Sequence, residues 1–266
     1  MDLREYLVAM AYETIQYSVS DHVAEITFDQ PEKRNALSQA LITDTTDALD
    51  RAADDDDVRV LFLTGEDPAF CAGGDLEEFQ EMREQSPVNL LNEASSELLK
   101  RLAVYEMPIV AGVNGDAVGG GTGIVAACHV AYAAPDVNLG TVEIRIGMFP
   151  FGILPILRDR IGNGRALELA LTGDLIAAKR AADIGLITDV VEDPVEKGRE
   201  TARRIASFSP LSLGVGLRSF YETEGMPISK AIDAMSAYRV PIYKSRDLEE
   251  GASAFLEDRE PDWTGR

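Results

Sequence analysis

The residues best suited to chemistry in this chain are the glycines of a turn at residues 119–123. A short apolar run at residues 109–113 precedes the turn with the length of a buried strand. A run of small apolar residues at 124–128 follows it and is able to pack as a helix. The first N–H groups of a helix have no partner within the helix, and glycine lets a ligand approach the backbone closely. The turn therefore predicts a site for an anion, or for an oxygen that becomes negatively charged.

A second glycine turn, at residues 71–75, also lies between a predicted strand and the start of a predicted helix. Two separated sets of N–H donors suit a thioester carbonyl that becomes an enolate, because preorganised donors act most strongly on charge that appears in the transition state. An isolated acid, Glu143, stands among apolar residues and is a candidate base. An apolar setting raises the pKa of a carboxyl group toward neutral pH. The alternative interpretation of Glu143 is an exposed acid at the end of a strand.

Other kinds of site match the sequence less well. Residues 121–126 satisfy the dinucleotide pattern G-x-G-x-x-G/A, and a turn needed only for close helix packing is a further alternative. No lysine follows the glycines as a phosphate-binding loop requires, and the sequence contains neither G-x-S-x-G nor H-E-x-x-H. His22 and His129 are expected to be structural. Cys71 and Cys128 form no C-x-x-C motif, so neither zinc nor a disulfide is expected.

The elements that position these residues follow from the spacing of the apolar residues. Residues 13–19 and 23–28 alternate on either side of a short turn, which predicts a β-hairpin, and Ser38 has the position of a helix N-cap. From Pro194 onward the pattern is purely helical, so we predict an α/β core over residues 12–193 and a helical region over residues 194–266. Further strands and helices are predicted at residues 58–64, 88–104, 128–133, 164–171, 177–184 and 187–191.

Composition narrows the classes of function. The 266 residues, 45% of them hydrophobic, fit one large domain or a domain with an appendage. The net charge is −21, and the basic residues comprise six lysines and 19 arginines. Such a surface repels nucleic acid and anionic lipid. It is typical of a protein from a salt-rich cytoplasm, where salt screens self-repulsion, and the alternative is an ordinary acidic bacterial enzyme. The sequence has neither an apolar stretch of roughly 18 residues nor a signal-peptide pattern, so a cytoplasmic location is expected.

Taken together, the motifs resemble those of the crotonase family, also called the enoyl-CoA hydratase/isomerase superfamily. The set extends from about residue 14 to the end in the order of the family, and an ordered set is far more specific than any single motif. It displaces the dinucleotide interpretation. The matching segments are Pro31-Glu-Lys-Arg-Asn-Ala-Leu-Ser38, Phe70-Cys-Ala-Gly-Gly-Asp-Leu76, Val113-Asn-Gly-Asp-Ala-Val-Gly-Gly-Gly121, Glu143-Ile-Arg-Ile-Gly147 and Glu250-Gly-Ala-Ser-Ala-Phe-Leu-Glu-Asp-Arg259.

The resemblance implies an α/β fold, a crotonase-like spiral of ββα units, with a helical C-terminal region that mediates trimers, often paired into hexamers. It implies that the backbone N–H groups of Gly74 and Gly120 hold the carbonyl of an acyl-CoA thioester, with Glu143 as the catalytic base. No metal and no separate cofactor is implied, because coenzyme A is part of the substrate. The residues expected to contact CoA or the substrate, largely through backbone groups, are Lys33, Arg34, Ala36, Ala72, Asp75, Leu76, Gly123 and Phe149.

The chain departs from the family pattern at the catalytic acids. The hydratases that it resembles carry one glutamate three residues after the second oxyanion glycine and another near residue 143. This chain has Gly123 at the first position and retains only Glu143. Water addition benefits from two acids, but a shift of a double bond needs one, which takes a proton from C2 and returns it at C4. The apolar residues 148–151 also favour a dry acyl pocket. We therefore expect a Δ3,Δ2-enoyl-CoA isomerase.

Two alternatives remain open from the sequence. The first is an enoyl-CoA hydratase of fatty-acid or amino-acid degradation with an unusual water-positioning group, and decarboxylation or thioester hydrolysis is also open within the family. The second is a catalytically silent acyl-CoA-binding subunit. RNA binding has a precedent in the family, but the net charge of −21 argues against it.

Overall fold

The structure is a computed structural model that describes residues 12–82 and 94–266, and within them ten strands form two sheets. The strands are β1 (Ile15–Ser20), β2 (Val23–Phe28), β3 (Val60–Gly65), β4 (Ala69–Cys71), β5 (Ile109–Val113), β6 (Asp116–Val118), β7 (Val130–Ala133), β8 (Asn138–Gly140), β9 (Leu175–Ala177) and β10 (Asp189–Val190). The larger sheet has the order β1-β2-β3-β5-β7-β10, and the smaller has the order β4-β6-β8-β9.

Helices connect and cover these strands. Within the described ranges the α-helices are α1 (Gln39–Asp54), α2 (Leu76–Met82), α3 (Ala94–Ala103), α4 (Gly120–Ala127), α5 (Leu154–Thr172), α6 (Ala178–Asp183), α7 (Pro194–Ala206), α8 (Pro210–Glu222), α9 (Ile228–Tyr243) and α10 (Arg246–Leu256). Two 3-10 helices, Pro31–Lys33 and Glu143–Ile146, lie in loops that border the candidate site. No helix in the described residues is both long enough and apolar enough to cross a membrane.

The larger sheet begins with the predicted hairpin. β1 and β2 pair antiparallel, and the two residues between them, Asp21 and His22, have φ values of 50° and 63°, which suit a two-residue hairpin turn. The other pairs in this sheet are parallel. β3 and β5 are buried along their whole length and read as continuous apolar runs, as expected for parallel strands covered on both faces.

The chain repeats one unit of structure as it moves between the two sheets. β3 joins the larger sheet, β4 joins the smaller sheet, and α2 follows. The next unit is β5, β6 and α4, and the third is β7 and β8 followed by the 3-10 helix at Glu143–Ile146. Because β4, β6 and β8 pair in parallel, the segments that follow them emerge at the same edge of the smaller sheet.

The core has two parts on opposite sides of the larger sheet. The main part lies between the two sheets and the helices α1, α3 and α4. The second part lies under α7, where Phe62 of β3 packs against Gly198 so closely that a Cβ at Gly198 would lie 3.2 Å from the Phe62 ring atom Cζ. α7 therefore packs against the larger sheet, and the division of the chain into a core over residues 12–193 and a helical region over residues 194–266 stays a prediction.

The last three helices leave much apolar surface open. α9 has no buried residue. Among the described elements, its main contacts are with its neighbours α8 and α10. Ile228 and Ile232 of α9 are 79% and 60% exposed. Solvent-facing apolar side chains in such number are typical of a protein interface. An assembly through this region stays a prediction.

The predicted elements differ from the observed ones at several points. The helix predicted at residues 88–104 is present as α3, and residues 88–93 lie outside the described residues. The short helix predicted at residues 164–171 is the second half of α5, which is interrupted at Gly162, where φ is 76°. The strands β4, β6, β8 and β9 are not predicted from the sequence, because strands of three residues are too short to show a period of two.

Candidate active site

The two glycine turns lie side by side because the strands that lead into them are neighbours. β4 pairs with β6 in parallel, so both turns leave the same edge of the smaller sheet. A Cβ at Gly73 would lie 2.8 Å from the carbonyl oxygen of Val118, and a Cβ at Gly121 would lie 2.9 Å from Cβ of Cys71. Any larger residue at these positions would separate the two turns, so close approach explains the glycines.

Gly74 and Gly120 both line one cavity of about 570 Å³. Leu37 pairs with the first turn on either side of Gly74, since its N–H donates to Gly73 and its carbonyl accepts from Asp75. Gly120 is the first residue of α4, so its N–H has no partner within the helix. Within the described residues neither N–H donates to another group. The Leu37 side chain also contacts Gly120, which fixes the two donors relative to each other.

Glu143 lies at the same cavity. It opens the 3-10 helix after β8, and its Oε1 lies 2.9 Å from the place where a Cβ at Gly119 would be. Its other oxygen, Oε2, is buried and has no hydrogen-bond partner among the described residues. Burial raises the pKa of this carboxyl above its ordinary value of 4.5. A half-buried carboxylate with one unpaired oxygen is suited to accept a proton, so Glu143 is not the exposed acid of the alternative interpretation.

Gly123 lies one turn further along α4 and does not line the cavity. The volume that its side chain would need is occupied by Ile153, whose Cβ would lie 3.0 Å from a Cβ at Gly123 and whose Cγ2 would lie closer still. Leu99 of α3 closes the same space from the other side, 3.3 Å away. The wall of the cavity is therefore apolar where a second acid is expected in a hydratase.

Two other carboxylates of the described residues line the cavity, and each accepts hydrogen bonds at a helix N-terminus. Asp75 accepts hydrogen bonds from the N–H groups of Glu77 and Glu78 at the start of α2. Glu78 accepts from the N–H of Gln39 at the start of α1, at 2.9 Å. Among the residues that the structure describes, Glu143 is the cavity carboxylate with a buried oxygen that has no partner.

The loop expected to hold CoA is anchored beside the first glycine turn. The buried side chain of Asn35 donates to the carbonyl oxygens of Glu66 and Ala69 and accepts from the N–H of Gln30, and its φ of 55° is one that asparagine tolerates. The carbonyl oxygen of Arg34 accepts from the N–H of Ala72 at 3.0 Å. The expected CoA loop and the expected oxyanion turn are therefore one connected unit.

The predicted site residues divide into two groups. Those that line the cavity are Gly74, Gly120, Glu143, Ala72, Asp75 and Leu76. The predicted residues that do not line it are Lys33, Arg34 and Ala36, which lie on the adjoining loop, and Gly123, which lies behind Ile153. Phe149 does not line the cavity either, although Met148, Pro150 and Phe151 do. Sequence reasoning missed lining residues from separate elements, for which no local signal exists: Leu37, Ile42, Phe79, Leu99 and Ile153.

Comparison with known proteins identifies the family. The family model described as enoyl-CoA hydratase/isomerase matches residues 18–266. The chain belongs to this family. It is 32% identical over 255 residues to a protein of Bacillus subtilis named probable enoyl-CoA hydratase, with 94% of this chain and 98% of the relative covered. It is 31% identical over 253 residues to the 2,3-dehydroadipyl-CoA hydratase of Escherichia coli, with the same coverage of 94% and 98%.

Solved structures of the enoyl-CoA hydratase/isomerase family share the fold. The enoyl-CoA hydratase of Bacillus anthracis has a TM-score of 0.88 and 29% identity, with 96% of this chain and 100% of that chain covered. A putative enoyl-CoA hydratase of Streptomyces coelicolor has a TM-score of 0.90 and 27% identity, with 97% and 96% covered. The predicted crotonase fold and membership in an enzyme family of hydratases and isomerases are confirmed. An acyl-CoA thioester is the substrate class that the family name gives.

Proposed function

We propose that this protein moves the double bond of an enoyl-CoA thioester from position 3 to position 2, with Glu143 as its single base. The observation that carries the proposal is the packing of Ile153 into the space beside Gly123, so that among the described residues of the cavity Glu143 is the carboxylate with a buried oxygen that has no partner. By resemblance to the family, hydration uses a second acid at that position. A proton shuttle between two carbon atoms of one substrate needs only one carboxylate.

The chemistry assigns one task to each group. The thioester carbonyl oxygen accepts hydrogen bonds from the N–H groups of Gly74 and Gly120. Glu143 removes the proton at C2, the electron pair moves into the thioester to form an enolate, and the two N–H groups stabilise the negative oxygen. Protonated Glu143 then returns the proton at C4, and the double bond forms between C2 and C3. The raised pKa of Glu143 suits both steps, because the group must accept and release a proton near neutral pH.

The walls of the cavity support an acyl chain with little water around it. Ile42, Leu99 and Ile153 are buried apolar residues of the lining, and Phe79 stands over Gly74, where a Cβ would lie 2.9 Å from its ring atom Cε2. An apolar wall favours proton return to carbon over attack by water. The adenine and pantetheine parts of CoA are assigned to the loop at residues 33–36 and the turn at residues 72–76.

Hydration of a 2-enoyl-CoA is the second candidate, and the names of the relatives favour it. The similar proteins of Bacillus subtilis and Escherichia coli are both named as hydratases. In this case Glu143 would activate a water molecule, and a group other than residue 123 would orient it. A product assay with 3-enoyl-CoA and 2-enoyl-CoA under the same conditions separates the two candidates. A catalytically silent binding subunit is less well supported, because the unpaired buried oxygen of Glu143 has no structural partner.

We also infer that the C-terminal helices pack between subunits in a trimer or hexamer. The exposed apolar side chains of α9 support this, since an isolated chain would leave them in water. Light scattering at micromolar concentration checks the assembly, and a monomer under those conditions would rule it out.

A further inference from the structure

The carboxylate of Asp75 joins the loop that is assigned to CoA with the turn that is assigned to the oxyanion. Its Oδ2 accepts a hydrogen bond from Nζ of Lys33 at 2.8 Å, and its Oδ1 caps the start of α2. The side chain of Asp75 is only 6% exposed. Asp75 directly follows Gly74 in the chain, so it holds the C-terminal side of Gly74. The peptide that carries the Gly74 N–H is held through the carbonyl oxygen of Gly73, which accepts from the N–H of Leu37 at 2.7 Å.

The ammonium group of Lys33 gives one of its three N–H donors to this contact. The hydrogen bond raises the pKa of Lys33 and lowers the pKa of Asp75, so both groups stay charged at neutral pH. The neighbouring basic residue, Arg34, lies 3.9 Å from Asp116 and makes no hydrogen bond to it. Of these two basic residues, Lys33 is thus the one held against the oxyanion turn.

The contacts around Gly74 connect the ion pair to the backbone on the C-terminal side of this glycine. The N–H of Asp75 donates to the carbonyl oxygen of Leu37 at 3.4 Å, and the N–H of Phe79 donates to the carbonyl oxygen of Asp75 at 3.1 Å. The Phe79 ring covers Gly74. Release of Asp75 would therefore free α2, the Phe79 ring and the Gly74–Asp75 peptide together, and Gly74 would be held only on the side of its N–H, through Gly73 and Leu37.

We propose that Lys33 and Asp75 are positioning residues, whose ion pair holds the Gly74 N–H in line with the thioester oxygen, and that the Lys33 side chain does not bind a CoA phosphate. This rests on the proposed function in one respect, that the Gly74 N–H is an oxyanion donor. The proposal predicts that loss of the Lys33 ammonium group lowers kcat and leaves KM for the acyl-CoA little changed.

The test compares two substrates with the same acyl group in the full-length protein. One is the acyl-CoA, and the other is the N-acetylcysteamine thioester, which has no nucleotide and no phosphate. Lys33→Met should lower kcat roughly 10- to 100-fold, since small misplacements of catalytic groups cost this much. The fold-change should be the same with both substrates, and KM should change little. Lys33→Arg should restore most of the activity, because a guanidinium can still donate to Asp75.

Two further variants complete the test. Asp75→Asn keeps an oxygen for the cap of α2 but removes the charge, so it should reproduce the loss of kcat on both substrates. Lys197→Met removes a lysine from an exposed ion pair with Glu200 on α7, outside the cavity lining, and should leave both activities at the parental level. Circular dichroism must match the parent for each variant.

The outcomes separate this inference from the proposed function. A loss confined to the CoA substrate and expressed in KM would overturn the inference and make Lys33 a phosphate ligand. Unchanged activity in Lys33→Met would also overturn it. Glu143→Gln is measured in parallel on the reaction that the parent catalyses. If that variant stays active, the proposed function fails, whatever Lys33→Met does.

Discussion

Replacing Gly123 with alanine should show, through its effect on the free energy of unfolding, that Ile153 fills the space beside Gly123. The new methyl group would meet Ile153 well inside van der Waals distance and Leu99 at 3.3 Å. Overpacking of a core costs about 1 to 3 kcal/mol, and alanine in place of glycine inside a helix gains back about 1 kcal/mol. The expected net destabilisation of Gly123→Ala is therefore about 0 to 2 kcal/mol. The coupling between positions 123 and 153 is the sharper quantity.

A double-mutant cycle measures that coupling. Ile153→Ala alone should cost about 2 to 5 kcal/mol, because it leaves a cavity. In the double variant the new methyl group partly fills the space, so the total loss should be smaller than the sum of the two single losses by about 1 kcal/mol or more. The assay is unfolding in urea with the linear extrapolation of the free energy.

Gly164→Ala is the matched control for this cycle. Gly164 also lies inside a helix, but a Cβ there would meet no atom within 4 Å. This variant should be neutral or slightly more stable, by up to about 1 kcal/mol. If the losses at positions 123 and 153 add within about 0.5 kcal/mol, Ile153 does not fill the space beside Gly123 and the argument for an apolar wall is wrong.

The remaining predictions concern the oxyanion donor, pH and salt. Gly74→Pro removes one N–H donor and should lower kcat by about 10²-fold or more. Gly74→Ala also crowds Phe79 but keeps the donor, so its loss of kcat should be much smaller. Equal losses of kcat in the two variants would mean that crowding of Phe79 is the cause. Because the base must be deprotonated and burial raises its pKa, activity should fall on acidification with a midpoint above 4.5; a profile flat down to that value would count against Glu143 as the base. The melting temperature should rise from low salt to molar KCl, as screening reduces the repulsion of a net charge of −21, and an unchanged value would favour an ordinary acidic enzyme.

The fold was predictable where local pattern determines local structure. The alternation at residues 13–28 fixed the hairpin, and Ser38 accepts a hydrogen bond from the N–H of Leu41 at 3.2 Å, as an N-cap should. The strands of the smaller sheet have three residues each and are held by pairing with distant strands, so no local period marks them. The place of α7 on the larger sheet likewise depends on Phe62 and Gly198, which are far apart in the chain.

The residues of the candidate site were predictable from the sequence to a similar extent. Gly74, Gly120 and Glu143 leave a signal in the sequence, because glycine turns and a lone acid among apolar residues are rare, and all three line one cavity. Ile153 and Phe79 leave no such signal, because their role depends on packing against a glycine that is distant in the sequence. The same holds for Lys33, whose pairing with Asp75 is a contact between residues 42 positions apart.

The products formed by the parent and by Glu143→Gln show whether Glu143 acts as a single base that moves a proton between two carbon atoms. Each protein is incubated with a 3-enoyl-CoA and with crotonyl-CoA, and the 2-enoyl and 3-hydroxyacyl products are separated by chromatography. We predict that the parent isomerises faster than it hydrates, and that Glu143→Gln loses roughly 10²- to 10⁴-fold in isomerisation while it remains folded. Faster hydration of crotonyl-CoA than isomerisation of any 3-enoyl-CoA would contradict the claim and establish the hydratase in its place.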